Sequence, residues 1–224
     1  MQKYALIVAG GSGLRMGNEL PKQFIEVGGL PILMHTIRQF FAFDAEMAIT
    51  VILPKTQHEF WQQLCSKHQF TIPHQVCAGG KERFFSVKNG LETLPDNGLV
   101  AVHDGVRPLV SIDTIKRCFQ KAKKTQAAIP VIPLTESIRK TNGDASSAVD
   151  RSNYVLVQTP QVFSVELLKK AYRQNFDSNF TDDASVVEKL NHPIHLVDGN
   201  QENLKITRPM DLLIAEALIK SFKS

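Results

Sequence analysis

No stretch of the 224-residue sequence approaches the roughly 20 consecutive apolar residues of a membrane span. Cysteine is scarce: Cys65, Cys77 and Cys118 are odd in number and none sits at C-x-x-C spacing. They read as core thiols of a reducing compartment, not as a disulfide framework or a metal site. There is no long basic run, and the net charge is only +4. Lys121, Lys123 and Lys124 fall near the end of a predicted helix, where cations suit the macrodipole. No nucleic-acid surface is indicated, whereas small anionic substrates fit this balance. The seven histidines show no metal-ligand pattern; His192 and His195 read as surface or turn residues. No Ser-His-Asp or Cys-His arrangement stands out, and Trp61, Phe40 and Phe41 read as helix packing. Because Met1-Gln2-Lys3-Tyr4 runs directly into a strand pattern, no signal peptide is expected. A soluble, cytoplasmic protein follows from these absences.

What is present is an alternation of apolar strands and amphipathic helices. Strands are predicted at Tyr4–Ala9, Ile49–Leu53, His74–Cys77, Leu99–Val102 and Ala127–Ile132. Helices are predicted at Ile32–Phe41, Glu59–Lys67, Glu82–Leu94 and Asp113–Lys124. Nearly all-apolar strands in a β-α-β-α rhythm point to a parallel sheet covered on both faces. The rhythm breaks at Pro133. Ser137–Thr141 and Ala148–Ser152 flank Asn142-Gly143-Asp144, a hairpin-turn signal, so residues 133–155 form a projecting β-hairpin arm. Beyond it, Val165, Leu168, Ala171, Tyr172 and Phe176 keep helical spacing. Strands at Ile194–Val197 and Leu204–Ile206 then precede a last helix opened by Pro209. The whole chain, 1–224, reads as one domain.

Ligands of open α/β sheets bind beyond the carboxyl ends of strands. Four polar clusters occupy such places: residues 10–22, 79–86, 103–108 and 203–207. The first contains Ala9-Gly10-Gly11-Ser12-Gly13-Leu14-Arg15-Met16. It is not a P-loop, because Gly17 precedes Asn18 where Gly-Lys-Ser/Thr is needed. It is not a dinucleotide fingerprint either, since Met16 takes the third glycine's place and no acidic residue closes the second strand. What remains is a run of backbone N–H groups able to cup an anion, with Arg15 and Lys22 as two fixed cations. Read from residues alone, Asp104-Gly105 is either a tight turn or a cation ligand. Arg107 and Arg151 are either phosphate contacts or surface charges, and Gly79-Gly80 is at least a turn before a helix.

The motifs A-G-G-x-G-x-R-M and Pro21-Lys22-Gln23-Phe24 resemble the signature of nucleotidyltransferases that join an NTP to a sugar or polyol phosphate. With them stand His103-Asp104-Gly105-Val106-Arg107-Pro108, Thr159-Pro160-Gln161, Thr181-Asp182-Asp183-Ala184-Ser185 and Asn203 to Pro209. Six motifs in order over nearly the full length make the chain similar to the 2-C-methyl-D-erythritol 4-phosphate cytidylyltransferase family. That resemblance implies a three-layer, mostly parallel Rossmann-like sheet of nucleotidyltransferase type. It implies transfer of CMP from CTP to a polyol phosphate, with Mg2+ or another divalent cation and release of pyrophosphate. Arg15, Lys22 and Lys205 would be catalytic. Ala9, Gly10, Gly11, Gly13, Gly80, Ser86, Asp104 and Gly105 would hold CTP, with Asp104 the metal ligand. Arg107, Ser137, Arg151, Thr159, Thr181 and Lys205 would meet the acceptor. The family's arm crosses to a second subunit, which implies a homodimer with arms exchanged. The sequence departs from the usual pattern at Gly105-Val106, where an alanine pair is common, at Asp183 for glutamate and at Ser137 for threonine. A glycine at 105 reads as a contraction where a ligand approaches. Ribitol 5-phosphate cytidylyltransferase and a non-catalytic nucleotide-binding module are the rival readings.

Overall fold

The computed structural model describes residues 1–10 and 20–221. In chain order the elements are β1 (Lys3–Val8), β2 (Glu26–Val27), β3 (Leu30–Pro31), α1 (Ile32–Phe43), β4 (Ala48–Leu53), α2 (His58–Lys67) and β5 (Gln75–Ala78). Then come α3 (Arg83–Glu92), β6 (Leu99–Asp104), α4 (Ile112–Thr125), β7 (Ala127–Pro133), β8 (Arg139–Asn142), β9 (Ala145–Ala148) and β10 (Val155–Val157). The chain closes with β11 (Gln161–Ser164), α5 (Val165–Ala171), α6 (Asp183–Glu188), β12 (His195–Asp198) and α7 (Pro209–Ser221).

The main sheet runs β5-β4-β1-β6-β11-β7, with β10 and β12 also paired to β7. β1 pairs in parallel with β4 and β6, β4 with β5, and β7 with β12. Their apolar side chains alternate between two buried layers, as a sheet covered on both faces requires. Ala5, Ile7, Val51 and Leu53 pack under α1, α2 and α4; Tyr4, Leu6, Ile52 and Val102 pack under α3, α5 and α6. A third cluster, including Val27, Ile32, Val106, Ile206 and Ala215, seats α7 near the carboxyl edge. Helix α4 shows the expected termini. Ser111 accepts from the Thr114 N–H at its start, Lys123 and Lys124 stand in its last turn, and Gln126 closes it at φ 67°.

Several sequence expectations change here. Residues 204–206 form no strand: Ile206 donates to the Val106 carbonyl at 2.9 Å, and the segment sits in no sheet ladder. The helix from Val165 stops at Ala171 rather than reaching Phe176. The arm turns at Gly143, with φ 57°, between shorter strands than predicted. Four antiparallel strands, β2, β3, β10 and β11, and helix α6 were not anticipated. β10 and β11 are successive stretches of one run against β7, since Val157 faces Val131 and Val162 faces Ala128. Four residues on one side thus answer two on the other, and this bulge at 158–161 swings Thr159 beneath the end of β6. Burial pushes the Cys118 thiol up to about 12 and the Cys65 thiol to about 11, so both stay neutral. Among the described residues, no helix is long and apolar enough to cross a membrane.

Candidate active site

The strand order reverses between β1 and β6, and that switch point is where open α/β sheets hold ligands. Val8 faces both Ile52 and Asp104, so Ala9-Gly10 and Asp104-Gly105 emerge side by side. Beyond them opens a cavity of about 260 Å³. Its described walls are Val8, Ala9, Gly10, Lys22, Gln23, Gly80, Lys81, Glu82, Arg83, Ser86, Asp104, Val106 and Lys205. All four polar clusters singled out from the sequence therefore contribute to one site. Gly11, Gly13 and Arg15 lie outside the described residues.

Each cation is carried by a local device. Lys22 opens a one-turn 3-10 helix after Pro21, and the next two residues, Gln23 and Phe24, are fully buried. Phe24 meets Phe60 edge-on and stacks along Trp61, which pins the turn that displays Lys22. Lys205 rides on the segment that Asn203 ties down. The Asn203 amide donates to the Thr159 carbonyl at 2.8 Å, and Arg107 donates to the Asn203 carbonyl at 2.7 Å. Gly79-Gly80 turns tightly into α3. A Cβ on Gly80 would collide with Phe85, and the Gly80 N–H donates to Ser86 Oγ at 3.0 Å.

Asp104 is the electrostatic centre of this arrangement. Its Oδ2 lies 3.1 Å from Lys205 Nζ and 3.2 Å from Arg107 Nε, while Oδ1 lies 4.0 Å from Arg83 Nε. Burial opposes its ionisation, but Lys205, Arg83 and Arg107 outweigh that, and the carboxyl is held well below the usual range. Among the described residues, no group of three or more His, Cys, Asp or Glu side chains could cage a metal. A carboxylate on a cavity wall is nonetheless a donor that magnesium accepts.

Asp104 is also fixed from beneath. Its N–H donates to Thr159 Oγ1 at 3.1 Å, and that hydroxyl sits 3.0 Å from His103 Nδ1. His103 Nε2 faces the Arg107 carbonyl at 3.1 Å, so Nε2 carries the proton and Nδ1 accepts from Thr159. Full burial lowers the His103 pKa to about 4, and the ring is neutral. In the unfolded chain the ring titrates near 6.5, so between pH 6.5 and 4 only the unfolded state gains the proton. Stability is therefore expected to fall as pH drops through that window, by roughly 3 kcal/mol from this group. Urea unfolding at pH 7, 6 and 5 checks this, and an unchanged unfolding free energy across that range would refute it.

The other carried-over positions fall as follows. Gly105 is buried, and an added Cβ would stand 2.8 Å from the Ala9 Cβ and 3.2 Å from Leu33. The contraction thus lets the end of β1 and α1 approach. Arg107 turns inward to Asp104 and Asn203 instead of facing the cavity. Thr159 is 6% exposed, with its hydroxyl committed to Asp104 and His103. Ser137 and Arg151 are exposed on the arm, where Arg151 donates to the Thr135 carbonyl. Thr181 is exposed immediately ahead of α6.

Sequence reading passed over the pair Arg83–Asp183. The guanidinium grips the fully buried carboxylate at 3.0 and 2.7 Å, and Tyr172 Oη donates to it at 2.6 Å. The partners are 100 residues apart, so no local spacing could reveal them. The only legible signal was Asp182, whose side chain caps Ser185 in a capping box and so starts α6 at Asp183.

Known proteins resemble this chain along its whole length. Residues 4–221 match the IspD family, 2-C-methyl-D-erythritol 4-phosphate cytidylyltransferase. The protein of that name from Bacteroides thetaiotaomicron is 53% identical over 219 residues, covering 98% of this chain and 100% of the relative. That from Porphyromonas gingivalis is 52% identical over 221 residues, covering 98% and 99%. The crystal structure of the Thermus thermophilus enzyme superposes with TM-score 0.80 at 33% identity, over 98% of this chain and 100% of that one. The 4-diphosphocytidyl-2C-methyl-D-erythritol synthase of Anaerococcus prevotii gives TM-score 0.83 at 27% identity, over 98% and 96%. With matches that run end to end on both sides, the chain belongs to the 2-C-methyl-D-erythritol 4-phosphate cytidylyltransferase family of nucleotidyltransferases.

Proposed function

We propose that this cleft transfers CMP from CTP to 2-C-methyl-D-erythritol 4-phosphate, giving 4-diphosphocytidyl-2-C-methyl-D-erythritol and pyrophosphate in the non-mevalonate route to isoprenoid precursors. The observation that carries it is the meeting of Lys22, Lys205 and Asp104 on one cavity at the switch point, in a chain of this family. An oxygen of the acceptor phosphate attacks the α-phosphorus of CTP, and the bond to the β-phosphate oxygen breaks in line. Lys22 and Arg15 offset charge on the departing pyrophosphate, and Lys205 steadies the phosphates from the Asp104 side. Ala9, Gly10, Gly11 and Gly13 bring backbone N–H groups to the triphosphate; Gly80 and Ser86 shape the nucleoside side. Asp104 would hold magnesium, and the ion would neutralise phosphate charge when CTP is bound. His103, Thr159 and Arg107 keep that carboxylate in place, and no side chain is needed as a covalent carrier.

The acceptor side is completed in trans. Tyr154 to Leu156 carry large apolar side chains 41–51% exposed along β10 at the base of the arm, which supports a homodimer with exchanged arms. Arg151, Ser137 and Thr181 then serve the acceptor phosphate and hydroxyls. Arg151→Ala is expected to raise the KM for acceptor by about tenfold or more while changing the KM for CTP far less. Equal losses for both substrates would point to a damaged arm instead. With three free thiols, the enzyme suits the reducing cytoplasm. The function itself is tested with CTP, magnesium and a panel of polyol phosphates, following pyrophosphate. Turnover is expected with methylerythritol phosphate. Turnover with ribitol 5-phosphate alone would reassign the acceptor, and none with any acceptor would make the chain a nucleotide-binding module.

A further inference from the structure

Asp104 has two oxygens in unequal surroundings. Oδ2 takes both Lys205 and Arg107, at 3.1 and 3.2 Å. Oδ1, among the described residues, accepts no hydrogen bond and meets one cation, Arg83 Nε, at 4.0 Å. Arg83 is a long side chain on the cavity wall, and its guanidinium stops short of Oδ1. Its terminal nitrogens are held elsewhere, by Asp183. Both terminal nitrogens of Arg83 are engaged by the Asp183 carboxylate in a bidentate grip, the geometry with the tightest directional demand of any ion pair.

Asp183 itself is immobilised from three sides. Tyr172 Oη donates to its Oδ1 at 2.6 Å, and its residue opens α6 behind the Asp182 cap. Gln161, fully buried on β11, brackets it by donating to Asp182 at 2.7 Å and accepting the Ala184 N–H at 2.9 Å. Asp183 is 0% exposed and does not line the cavity. A fully buried carboxylate with this much support, one step removed from the site, has one partner that does reach the site.

We propose that Asp183 is a positioning residue for the transfer reaction: by gripping Arg83 at both nitrogens it withholds that guanidinium from Asp104 Oδ1. The oxygen stays available to what binds in the cavity, and the substrate-bound cation meets a carboxylate with one side unpaired. This rests on the reading of Asp104 given above, and it makes Arg83 a restrained competitor for Asp104, not a substrate contact.

The test compares Asp183→Asn, Asp183→Glu and the double variant Arg83→Met/Asp183→Asn with the parent. Asparagine keeps the carboxylate's shape but presents an NH2 group where Arg83 or Tyr172 now donates, so the grip fails. A crystal structure of Asp183→Asn is expected to show Arg83 within hydrogen-bond distance of Asp104 Oδ1. Its kcat is expected to fall about tenfold or more with the KM for CTP little changed, and the magnesium concentration for half-maximal rate to rise. Glutamate, which retains the charge, is expected to stay within about threefold of the parent, as rescue by a conservative change. The double variant removes the competitor and the unpaired buried charge together, so it is expected to fold and to be about fivefold or more faster than Asp183→Asn. An Arg83 that keeps its position in the asparagine variant, or a double variant as slow as the single one, would overturn the proposal. Parent turnover tests the function separately, and the crystallographic distance does not depend on activity at all.

Discussion

Lys22→Ala is expected to lower kcat by about 10²-fold or more and to leave the fold intact. The turn that presents Lys22 is secured by its neighbours: Phe24 is 1% exposed in the aromatic cluster with Phe60 and Trp61, and Gln23 is fully buried. Truncation at 22 therefore removes an ammonium group from the cavity wall without loosening the scaffold. Charge moves onto pyrophosphate only as the α-phosphorus bond breaks, so a cation placed there acts more on the transition state than on bound CTP. The expected signature is a loss in kcat with a modest change in the KM for CTP, measured by continuous pyrophosphate release. Lys22→Arg, which keeps charge but alters reach, should recover part of the rate. An alanine variant with parental kcat would remove Lys22 from the mechanism.

The second large effect is expected at Asp104. Asp104→Asn should reduce kcat by about 10²-fold or more, since it withdraws the carboxylate proposed to hold magnesium. It should also destabilise the protein, because Arg83, Arg107 and Lys205 would face one another without their shared counter-charge. The pH dependence follows from the direction of the shift. Asp104 is held below its ordinary value of 3.8, so its contribution is present above that pH and drains away as pH falls beneath it. The stability gap between parent and Asp104→Asn should therefore be full at neutral pH and narrow below about 4. A gap that widened on acidification, or a variant as active as the parent, would contradict this role. Thermal melts at pH 7, 5 and 3 separate the stability effect from the kinetic one.

Much of the site was legible because local chemistry announced it. The glycine run after β1, the Pro-Lys step, the Gly-Gly turn, the His-Asp strand end and the Asn-x-Lys segment all fell at or near strand ends, and the described parts meet at one cavity. The parallel core was legible for the same reason, since β1, β4 and β6 are almost uninterrupted apolar runs. What escaped was either short or non-local. β10 has three residues and β11 four, too few for a period to declare itself, and Pro160 separates them. Leu204–Ile206 looked like a strand because it is apolar at both ends. Ile206 instead donates to the Val106 carbonyl, and the segment joins none of the described sheets. Thr159 and Arg107 carried the right motif but the wrong direction: the bulge after β10 turns one beneath Asp104, and the Asn203 carbonyl draws the other inward. The Arg83–Asp183 grip spans half the chain and left no trace in spacing.

Throughout, catalysis is assigned to the placement of fixed charges around a direct displacement, with no residue acting as a covalent carrier. The most direct measurement uses CTP chiral at the α-phosphorus by sulfur substitution, with methylerythritol phosphate as acceptor, and determines the configuration of the product. A single in-line attack by the acceptor oxygen gives inversion, which is the expected result. Retention would require two successive displacements through an enzyme-bound CMP, and would contradict a mechanism of direct displacement among fixed charges.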